Sequence, residues 1–463
     1  MTPDPILLTD EQMRHFIAHG YLILNTDFPD SFHNAMNTRI EAVMEQEGNP
    51  GNNILPRVPE VQEVFRHPVI RGAVGSVLGP DYLTQPHRHC HFTSPGRKVQ
   101  SWHKDSYWGY ARVRNHRQWW AMIFYYPQTV DTEMGPSGII PGTQYYDKRP
   151  GDETEQPLFL EGRAGTFALI HYDLWHRGGA NLSNRNRAML KFQFTRMTRP
   201  TEPTWDNRTD EWQGLNGDGP PHTHETLWRD HWNWLSGRPD ANGNGPTSDR
   251  EPTELAELVA GDYEPDGVGA AYELAHCGRD GIRQLRELLA SKSTAVSRRA
   301  GYGLSTAGPE ALATIHEGIG HESALARRHA LFAAGEQGAA AADITPNIAA
   351  CVQDGDRWVR RTAVEALGML EDVSAAVPVL IPALQDDDDQ VRYSAALSLG
   401  RYRADAAEAI DPLMATLRDE NRYVRGFAVE ALKQIGTQEA LAKVCDYLLE
   451  NRWCYSTTPD SLF

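Results

Sequence analysis

Apolar residues in the first part of the chain fall into short runs separated by polar and turn-forming residues. Thr9 followed by Gln12 predicts a capping-box start for a helix in which Met13 and Phe16 recur at helical spacing and which Gly20 ends. Short strand-forming runs come next: YLIL from residue 21, AMIFYY from 121, TFALI from 166 and AMLKFQF from 188. With Gly, Pro and Asn clusters between them, these runs are typical of an antiparallel β-barrel or sandwich.

The composition changes after residue 200. Residues 201–250 are rich in Gly, Pro, Asp and Trp, and ETLWRDHWNWLSG from residue 225 predicts one helix, either a lid or an element that docks the β region to the C-terminal part of the chain. The stretch RPDANGNGPTSDREP from residue 238 has the composition of a linker. We therefore predict a first domain at residues 1–245 and a second at residues 246–463.

The second domain is alanine-rich and periodic. Val359, Val391 and Val424 stand at equivalent positions 32 and 33 residues apart, the length of two short antiparallel helices with their turns. The pattern resembles HEAT repeats of the short type also found in phycobilin lyases, and the resemblance implies an α-solenoid. We expect a stability or docking module rather than a second catalytic site, with a protein partner or self-association as one possible use.

The repeats also carry arginines at a fixed position, close to polar turn residues. We expect each arginine to pair with the turn residue just before it: Arg360 with Asp356, Arg392 with Asp388, and Arg425 with Asn421.

Charge and cysteine content narrow the function classes. The chain has 45 Lys plus Arg against 62 Asp plus Glu, a net charge of -17, which argues against nucleic acid and anionic membrane surfaces as partners. Its 5 cysteines lack CxxC spacing, so we expect a reduced, cytoplasmic setting. We find no leader-like segment and no run of ~18 apolar residues, so neither export nor membrane insertion is expected.

Candidate metal ligands occur in two places. His103 and Asp105 would point the same way from a strand, and a catalytic iron needs two histidines and one carboxylate on one face, with three positions left open. His171 and His176 are candidates for the second histidine. Arg187 stands eleven residues after His176 at the start of the next strand, where an arginine could bind the distal carboxylate of a dicarboxylate.

Four stretches together resemble the phytanoyl-CoA dioxygenase family of non-haem iron, 2-oxoglutarate-dependent oxygenases. They are LTDEQMRHFIAHGYLIL from residue 8, HKD from 103, MGPSGIIPGT from 134, and HRGGAN from 176 followed by Arg187. The resemblance covers about residues 8–200. It implies a double-stranded β-helix (a jelly-roll or cupin-like fold) with flanking helices, and Fe(II), 2-oxoglutarate and O2 as cofactor and co-substrates.

The same resemblance assigns roles to single residues. It implies that His103, Asp105 and His176 ligate iron and that Arg187 anchors the C5 carboxylate of 2-oxoglutarate, whereas His171 packs or hydrogen-bonds without touching iron. Arg185 competes with Arg187 on chemistry alone, but only Arg187 has the family spacing.

Other positions are expected near the co-substrate. Phe124 lies where the family places an aromatic residue beside 2-oxoglutarate, although an ordinary core phenylalanine is an equal alternative. Asn181 is expected to hold the turn after His176. Gly178 stands where the family often has a hydroxyl-bearing residue, so one hydrogen bond to the co-substrate is missing or supplied elsewhere. The turn that ends in Gln144 is expected to be structural.

The stretch PHRHCHF from residue 86 alternates His87, His89 and His91 on one face with Cys90 on the other. A second metal site is one interpretation, and we favour polar lining of the barrel. By family position, Cys90 or His89 is expected to approach the co-substrate.

The implied activity is the oxidation of a small organic substrate, with 2-oxoglutarate converted to succinate and CO2. Because the carboxylate Asp105 is present, hydroxylation is favoured over halogenation, while desaturation, cyclisation and epoxidation stay open. The aromatic residues around positions 102–126 would suit a ring or a cationic group, and acyl thioesters, amino acid derivatives and specialised metabolites are all candidates. The alternative is a HEAT-repeat scaffold protein with a non-catalytic β-domain.

Overall fold

A computed structural model describes residues 3–105, 113–151, 155–239 and 249–451. The expected domain boundary at residue 245 lies outside these ranges, as do Tyr107, Trp108 and Tyr110. Within the described ranges, no helix combines the length and the apolarity that spanning a membrane requires.

Six helices and eight strands are described before residue 240. The helices are α1 (Asp10–His19), α2 (Asp30–Glu47), α3 (Ile54–Arg57), α4 (Glu60–Arg66), α5 (Pro68–Leu78) and α6 (Glu225–Leu235). The strands are β1 (Tyr21–Leu24), β2 (Leu83–Thr93), β3 (Trp120–Tyr126), β4 (Gly138–Ile139), β5 (Leu158–Phe159), β6 (Thr166–His171), β7 (His176–Arg177) and β8 (Arg187–Thr195).

The strands form two antiparallel sheets. One has the order β1-β6-β3-β8-β2 and the other the order β5-β4-β7. The four runs predicted as strands all lie in the larger sheet, and β3, β6 and β8 are buried along their whole length. Such continuous burial explains why β3 and β6 are mostly apolar, whereas β8 alternates the polar residues Arg187, Lys191 and Gln193 with apolar ones although all of them are buried.

The first helix confirms its sequence signals. Thr9 caps α1, with the side chains of Thr9 and Gln12 bonding reciprocally to each other's backbone, and Gly20 ends the helix in the left-handed conformation at φ 77°. The tryptophan-rich helix α6 docks and does not form a lid: Trp228, Trp232 and Trp234 are all at most 1% exposed and pack in the main core.

The remaining helices stack as a repeat array. They are α7 (Pro252–Ala260), α8 (Glu264–Ala275), α9 (Gly278–Leu289), α10 (Thr294–Thr306), α11 (Leu312–Ile319), α12 (Ala324–Gln337), α13 (Thr345–Ala350), α14 (Arg357–Leu367), α15 (Val373–Ala383), α16 (Asp389–Arg401), α17 (Ile410–Thr416), α18 (Arg422–Ile435) and α19 (Gln438–Asn451). The helices α10, α12, α14, α16 and α18 pack side by side, so the period of 32 to 33 residues corresponds to one helix pair.

The arginines of the repeats bind differently from the prediction. Arg360 pairs with Asp386 through Nε at 2.8 Å, and Arg392 pairs with Asp419 at 2.7 Å, in each case one repeat further along the chain. The turn residues Asp356, Asp388 and Asn421 instead cap the helices that come after them. The short side chain of a capping residue reaches the free N–H groups of its own helix, which leaves the longer arginine to bridge neighbouring repeats.

The β region and the repeats share one hydrophobic core. The segment just before β3 contacts the repeats. Asn115 donates to Glu336 at 2.9 Å, and the ring of His116 lies 3.8 Å from that of Tyr302. Arg117 donates to the backbone carbonyl of Glu336 at 2.8 Å and lies 3.4 Å from Asp230 of α6. The junction is therefore packed and hydrogen-bonded.

Candidate metal centre

Two histidines meet across a single β-bridge. The backbone N–H of His103 donates to the carbonyl of His176, and that of His176 to the carbonyl of His103, each at 2.9 Å. This bridge places the two rings 4.6 Å apart. Outside the bridge, residues 103–105 are not in a regular strand, but their side chains still alternate, because buried Lys104 points away and donates to the carbonyls of Thr143 and Gln144.

Both imidazoles are held in the tautomer that suits a metal. His103 Nδ1 lies 2.9 Å from the carbonyl oxygen of Ser101, and His176 Nδ1 lies 2.9 Å from that of Leu174. A carbonyl oxygen only accepts, so each Nδ1 carries a proton, and in the neutral ring this leaves the Nε2 lone pair for a metal. Burial, followed by the neighbouring His176, lowers the pKa of His103, which favours the neutral ring.

Asp105 completes a group of three. One potential ligand atom each from His103, Asp105 and His176 lies within 4.8 Å of the others, and Asp105 Oδ1 is 3.5 Å from His176 Nε2. Among the described residues, that Nε2 has no hydrogen-bond partner although it is buried. Two imidazoles and one carboxylate on one side of a site are the donor set for a non-haem Fe(II), so these residues fit the metal that the sequence implies.

Two further side chains hold the Asp105 carboxylate. Lys191 Nζ donates to its two oxygens at 2.8 and 2.9 Å, and Gln193 Nε2 donates to Oδ2 at 3.0 Å. Burial alone would raise the pKa of Asp105, but Lys191 and His176 together hold it well below its usual value. The carboxylate is therefore ionised and fixed in orientation.

A cavity of about 230 Å³ opens beside these residues and contains His103, His176 and Arg187 in its wall. Arg187 is 3% exposed, and its Nη2 donates to Thr93 Oγ1 at 3.1 Å. Its Nε and Nη1 are buried and have no hydrogen-bond partner within the described ranges. A buried guanidinium with unused donors at the end of a cavity fits the distal carboxylate of a dicarboxylate such as 2-oxoglutarate. Arg185 is excluded from this role by its position, since it lies at the surface and pairs with Asp131.

The position of Gly178 is filled by another side chain. Gln100 Oε1 accepts from the backbone N–H of Gly178 at 3.0 Å, and a Cβ added at Gly178 would lie only 2.9 Å from that oxygen. Gln100 also lines the cavity. The amide of Gln100 therefore lies close to where a side chain on residue 178 would stand.

Two glycine-containing turns bring β7 to its place. A Cβ at Gly135, whose φ is 66°, would lie 2.1 Å from the carbonyl oxygen of Ala180, so the two turns touch backbone to backbone. Asn181 donates to the carbonyls of Thr93 and Arg185 and so ties the second turn to β2, which agrees with its expected role. Gln144 likewise is structural, donating to the carbonyls at the end of α1.

The remaining residues expected at the site lie on different faces of their strands, some toward the cavity and one toward the core. Phe124 lines the cavity, with its ring 5.5 Å from that of His176. His89 and His91 line it as well, but Cys90 does not: it is fully buried in the main core on the opposite face of β2. The expectation that Cys90 approaches the co-substrate is therefore wrong, and His89, the alternative, lies on the cavity side.

His171 lies outside the three-residue group, and its Nδ1 accepts from the backbone N–H of Asp173 at 3.0 Å.

Sequence reasoning missed Lys191, Gln193 and Gln100. The period of two along β8 was a usable signal for the first two, because residues 187, 189, 191 and 193 share one face.

Comparisons with known proteins assign the two regions separately. Residues 18–189 match the phytanoyl-CoA dioxygenase family, and residues 312–400 and 377–454 match HEAT repeats. No curated protein matches the chain significantly.

Solved structures give distant likenesses. The non-heme alpha ketoglutarate dependent carbocyclase SnoK from nogalamycin biosynthesis is 18% identical, with a TM-score of 0.35 over 42% of this chain and 88% of that chain. AviO1 from Streptomyces viridochromogenes Tue57 is 16% identical, with a TM-score of 0.34 over 40% and 95%. The epimerase SnoN in complex with Fe3+, alpha ketoglutarate and nogalamycin RO is 15% identical, with a TM-score of 0.35 over 46% and 94%. These likenesses are too distant to say what this chain binds or converts.

Proposed function

We propose that this protein, whose residues 18–189 match the phytanoyl-CoA dioxygenase family, is an oxygenase that uses Fe(II), 2-oxoglutarate and O2 to hydroxylate a small organic substrate. We further propose that the two sheets form a double-stranded β-helix and that the oxygenase domain spans residues 1–245, followed by the repeats at 246–463.

The residues of the cavity have distinct roles in this proposal. His103, Asp105 and His176 would hold Fe(II) through the two Nε2 atoms and one carboxylate oxygen, which leaves half of an octahedral ion for other ligands. Bound there, the metal supplies redox chemistry with dioxygen and 2-oxoglutarate. Arg187 would bind the distal carboxylate of 2-oxoglutarate, and Lys191 would keep the Asp105 carboxylate ionised and oriented.

The observation that carries the proposal is the pairing of unused polar groups at both ends of the cavity. In the part of the chain that the structure describes, His176 Nε2 and Arg187 Nε and Nη1 are buried without a hydrogen-bond partner, in a wall that the two residues share. Leaving a buried polar group unsatisfied costs ~1–3 kcal/mol, so such groups together point to a ligand that binds both. A metal at one end and a dicarboxylate bridging to the other end satisfy them.

An anaerobic spectroscopic titration tests this function. Iron(II)-loaded protein should develop a weak visible charge-transfer band when 2-oxoglutarate is added, and should release succinate in air. The His176→Ala variant should do neither. If wild-type protein shows no band and forms no succinate, the proposed oxygenase function is wrong, and the alternative of a scaffold protein with a non-catalytic β-domain is favoured. Product analysis by mass spectrometry then separates hydroxylation, a gain of one oxygen atom, from desaturation, a loss of two hydrogens.

A further inference from the structure

The side chains of β2 mark out an axis along the cavity. Thr93 contacts Arg187, His91 stands opposite Met189, and His89 stands opposite Lys191 in the register with β8. Alternate residues of a strand are roughly 6.6 Å apart on one face, so this row runs from Thr93, beside the proposed co-substrate anchor, to His89, opposite the partner of Asp105. His87 comes next in the chain, where the register between β2 and β8 shifts. If 2-oxoglutarate spans from Arg187 to the metal, the substrate has to occupy the other side, where His89 and His87 lie.

A repeat helix, α18, packs against the start of β2 on that side. His87 Nδ1 is 3.0 Å from the hydroxyl oxygen of Tyr423 on α18, and their rings are 5.9 Å apart. The neighbouring Pro86 packs so closely on Gly426 that a Cβ there would come within 2.6 Å of it. Residues 423 and 426 lie three apart on one face of α18, and this face is therefore in direct contact with the start of β2.

The charges around His89 favour one class of substrate. Its pKa is lowered by burial and then by two cations, Lys191 from β8 and Arg422 from α18. Burial, with Lys191 next, lowers the pKa of His87 to about 4, so that ring is neutral near pH 7. Arg422 is exposed at the start of α18 and donates from Nη2 to the hydroxyl of Tyr423 at 3.3 Å, and in the part of the chain that the structure describes, no carboxylate lies within ion-pair distance of it.

The charged residues in the cavity wall are positive as well. The charged residues that line it are all cationic, although the chain carries a net charge of -17: Arg97, Lys98, Arg177, Arg187 and Lys191. Asp105 already pairs with Lys191, and 2-oxoglutarate would pair with Arg187, which leaves Arg97, Lys98 and Arg177 as the cavity cations that an acidic substrate could neutralise and that would repel an amine.

We propose that the substrate binds between the metal ligands and α18, that Tyr423 and Arg422 of the repeats are specificity-determining residues, and that they recognise a carboxylate or phosphate group of the substrate. This inference rests on the proposed oxygenase function. It makes the repeats part of the active site of the chain that carries them.

Calorimetric binding tests the inference without requiring turnover. Full-length protein, loaded anaerobically with iron(II) and 2-oxoglutarate, is titrated with carboxylic acids and their primary amides, and with phosphate monoesters and their parent alcohols. The acidic member of the best-binding pair should bind about tenfold more tightly, as one charge-assisted hydrogen bond would give. A preference for the acid over its amide indicates carboxylate recognition, and a preference for the phosphate monoester over its alcohol indicates phosphate recognition. Equal binding of the acidic and neutral members in every pair would overturn the inference.

Substitutions on α18 test which residues cause the preference for the acidic ligand. Arg422→Gln should reduce the acid-to-amide ratio to about one, Arg422→Lys should restore it, and Tyr423→Phe should lower it severalfold. The matched control is Arg357→Gln, at the same position of α14, where the side chain is 62% exposed and lies 3.6 Å from Asp388. A purely structural role would weaken acid and amide alike and leave the ratio unchanged, which would refute the inference. Absence of the charge-transfer band would refute the oxygenase function instead, since the binding ratio is measured independently.

Discussion

The substitution Arg187→Gln tests the co-substrate end of the cavity. It removes a guanidinium that is 3% exposed, that donates to Thr93 Oγ1, and that has two buried nitrogens without partners. Glutamine keeps an amide donor but loses both the charge and the second parallel N–H. The shape of the cavity changes little, so the effect should be confined to binding of the co-substrate.

The expected magnitude comes from the lost hydrogen bonds. A hydrogen bond to a charged group contributes about 1.5–3 kcal/mol, and a bidentate arginine makes two of them. If the glutamine amide recovers part of one, the net loss is roughly 3 kcal/mol, which corresponds to an affinity for 2-oxoglutarate about 100-fold weaker. The free protein should not be destabilised, because burial already lowers the pKa of Arg187 and the substitution removes a buried cation that has no carboxylate partner.

Two assays measure this loss. Anaerobic titration of iron(II)-loaded protein gives the affinity for 2-oxoglutarate from the charge-transfer band. Thermal unfolding gives it independently, because a ligand present at 100 times its Kd stabilises the native state by about 2.7 kcal/mol, whereas the same concentration would stabilise the variant by about 0.4 kcal/mol. Iron(II) affinity, measured without 2-oxoglutarate, should change less than threefold.

The neighbouring arginine is the control. Arg185 lies at the surface, paired with Asp131 at 2.9 Å, and Arg185→Gln should leave the affinity for 2-oxoglutarate within twofold of wild type. A loss as large as that of Arg187→Gln, or an Arg187→Gln variant with nearly normal affinity, would show that the assignment of the co-substrate anchor is wrong.

Three further predictions concern other parts of the molecule. Glu336→Gln should lower the free energy of unfolding in urea by about 3 kcal/mol, because it leaves buried Arg117 with a weaker counter-charge, and a change below about 1 kcal/mol would contradict this. Cys90, whose pKa burial raises to about 12, should resist alkylation in native protein while exposed Cys445 reacts, as peptide mass spectrometry can check. The pKa of Asp105 lies well below its usual value, so its ionised form stabilises the metal-free fold above about pH 4 and this contribution is lost on acidification. The difference in unfolding free energy between wild type and Asp105→Asn should therefore shrink toward pH 3. A difference that stays constant with pH would show that the ionised carboxylate does not stabilise the fold.

Local patterns predicted the secondary structure and part of the site. The capping box at Thr9 and the apolar runs of β3, β6 and β8 depend on neighbouring residues only, and the structure places helix and strands there. The relation of His176 to Arg187 is also local, since one turn and one strand start separate them. The pairing of His103 with Asp105 agrees with simple alternation, even though only His103 lies in a β-bridge.

Features that depend on packing between distant segments were not predictable. Arg360 binds Asp386, 26 residues away, because the stacking of successive repeats brings the two together. Lys191 reaches Asp105 across 86 residues of sequence; alternation along β8 places Lys191 on the face of Arg187 but does not indicate the contact with Asp105. The error at Cys90 has a related cause: alternation separates Cys90 from His89, but only the packing of β2 against β8 and the early helices decides which face meets the cavity.

The junction between the two regions makes the repeats a structural component of the candidate metal centre. Asp105, the proposed carboxylate ligand, lies at one end of a segment whose other end, at His116 and Arg117, is held by ring contacts and hydrogen bonds from the repeats and α6. Arg114 links the two ends, since its Nη1 donates to the backbone carbonyl of Asp105 at 3.2 Å and to the carboxylate of Asp173 at 2.6 Å. Buried polar networks of this kind hold their members in one arrangement only when every partner is present. The position of the Asp105 carboxylate therefore depends on the repeats as well as on the sheet.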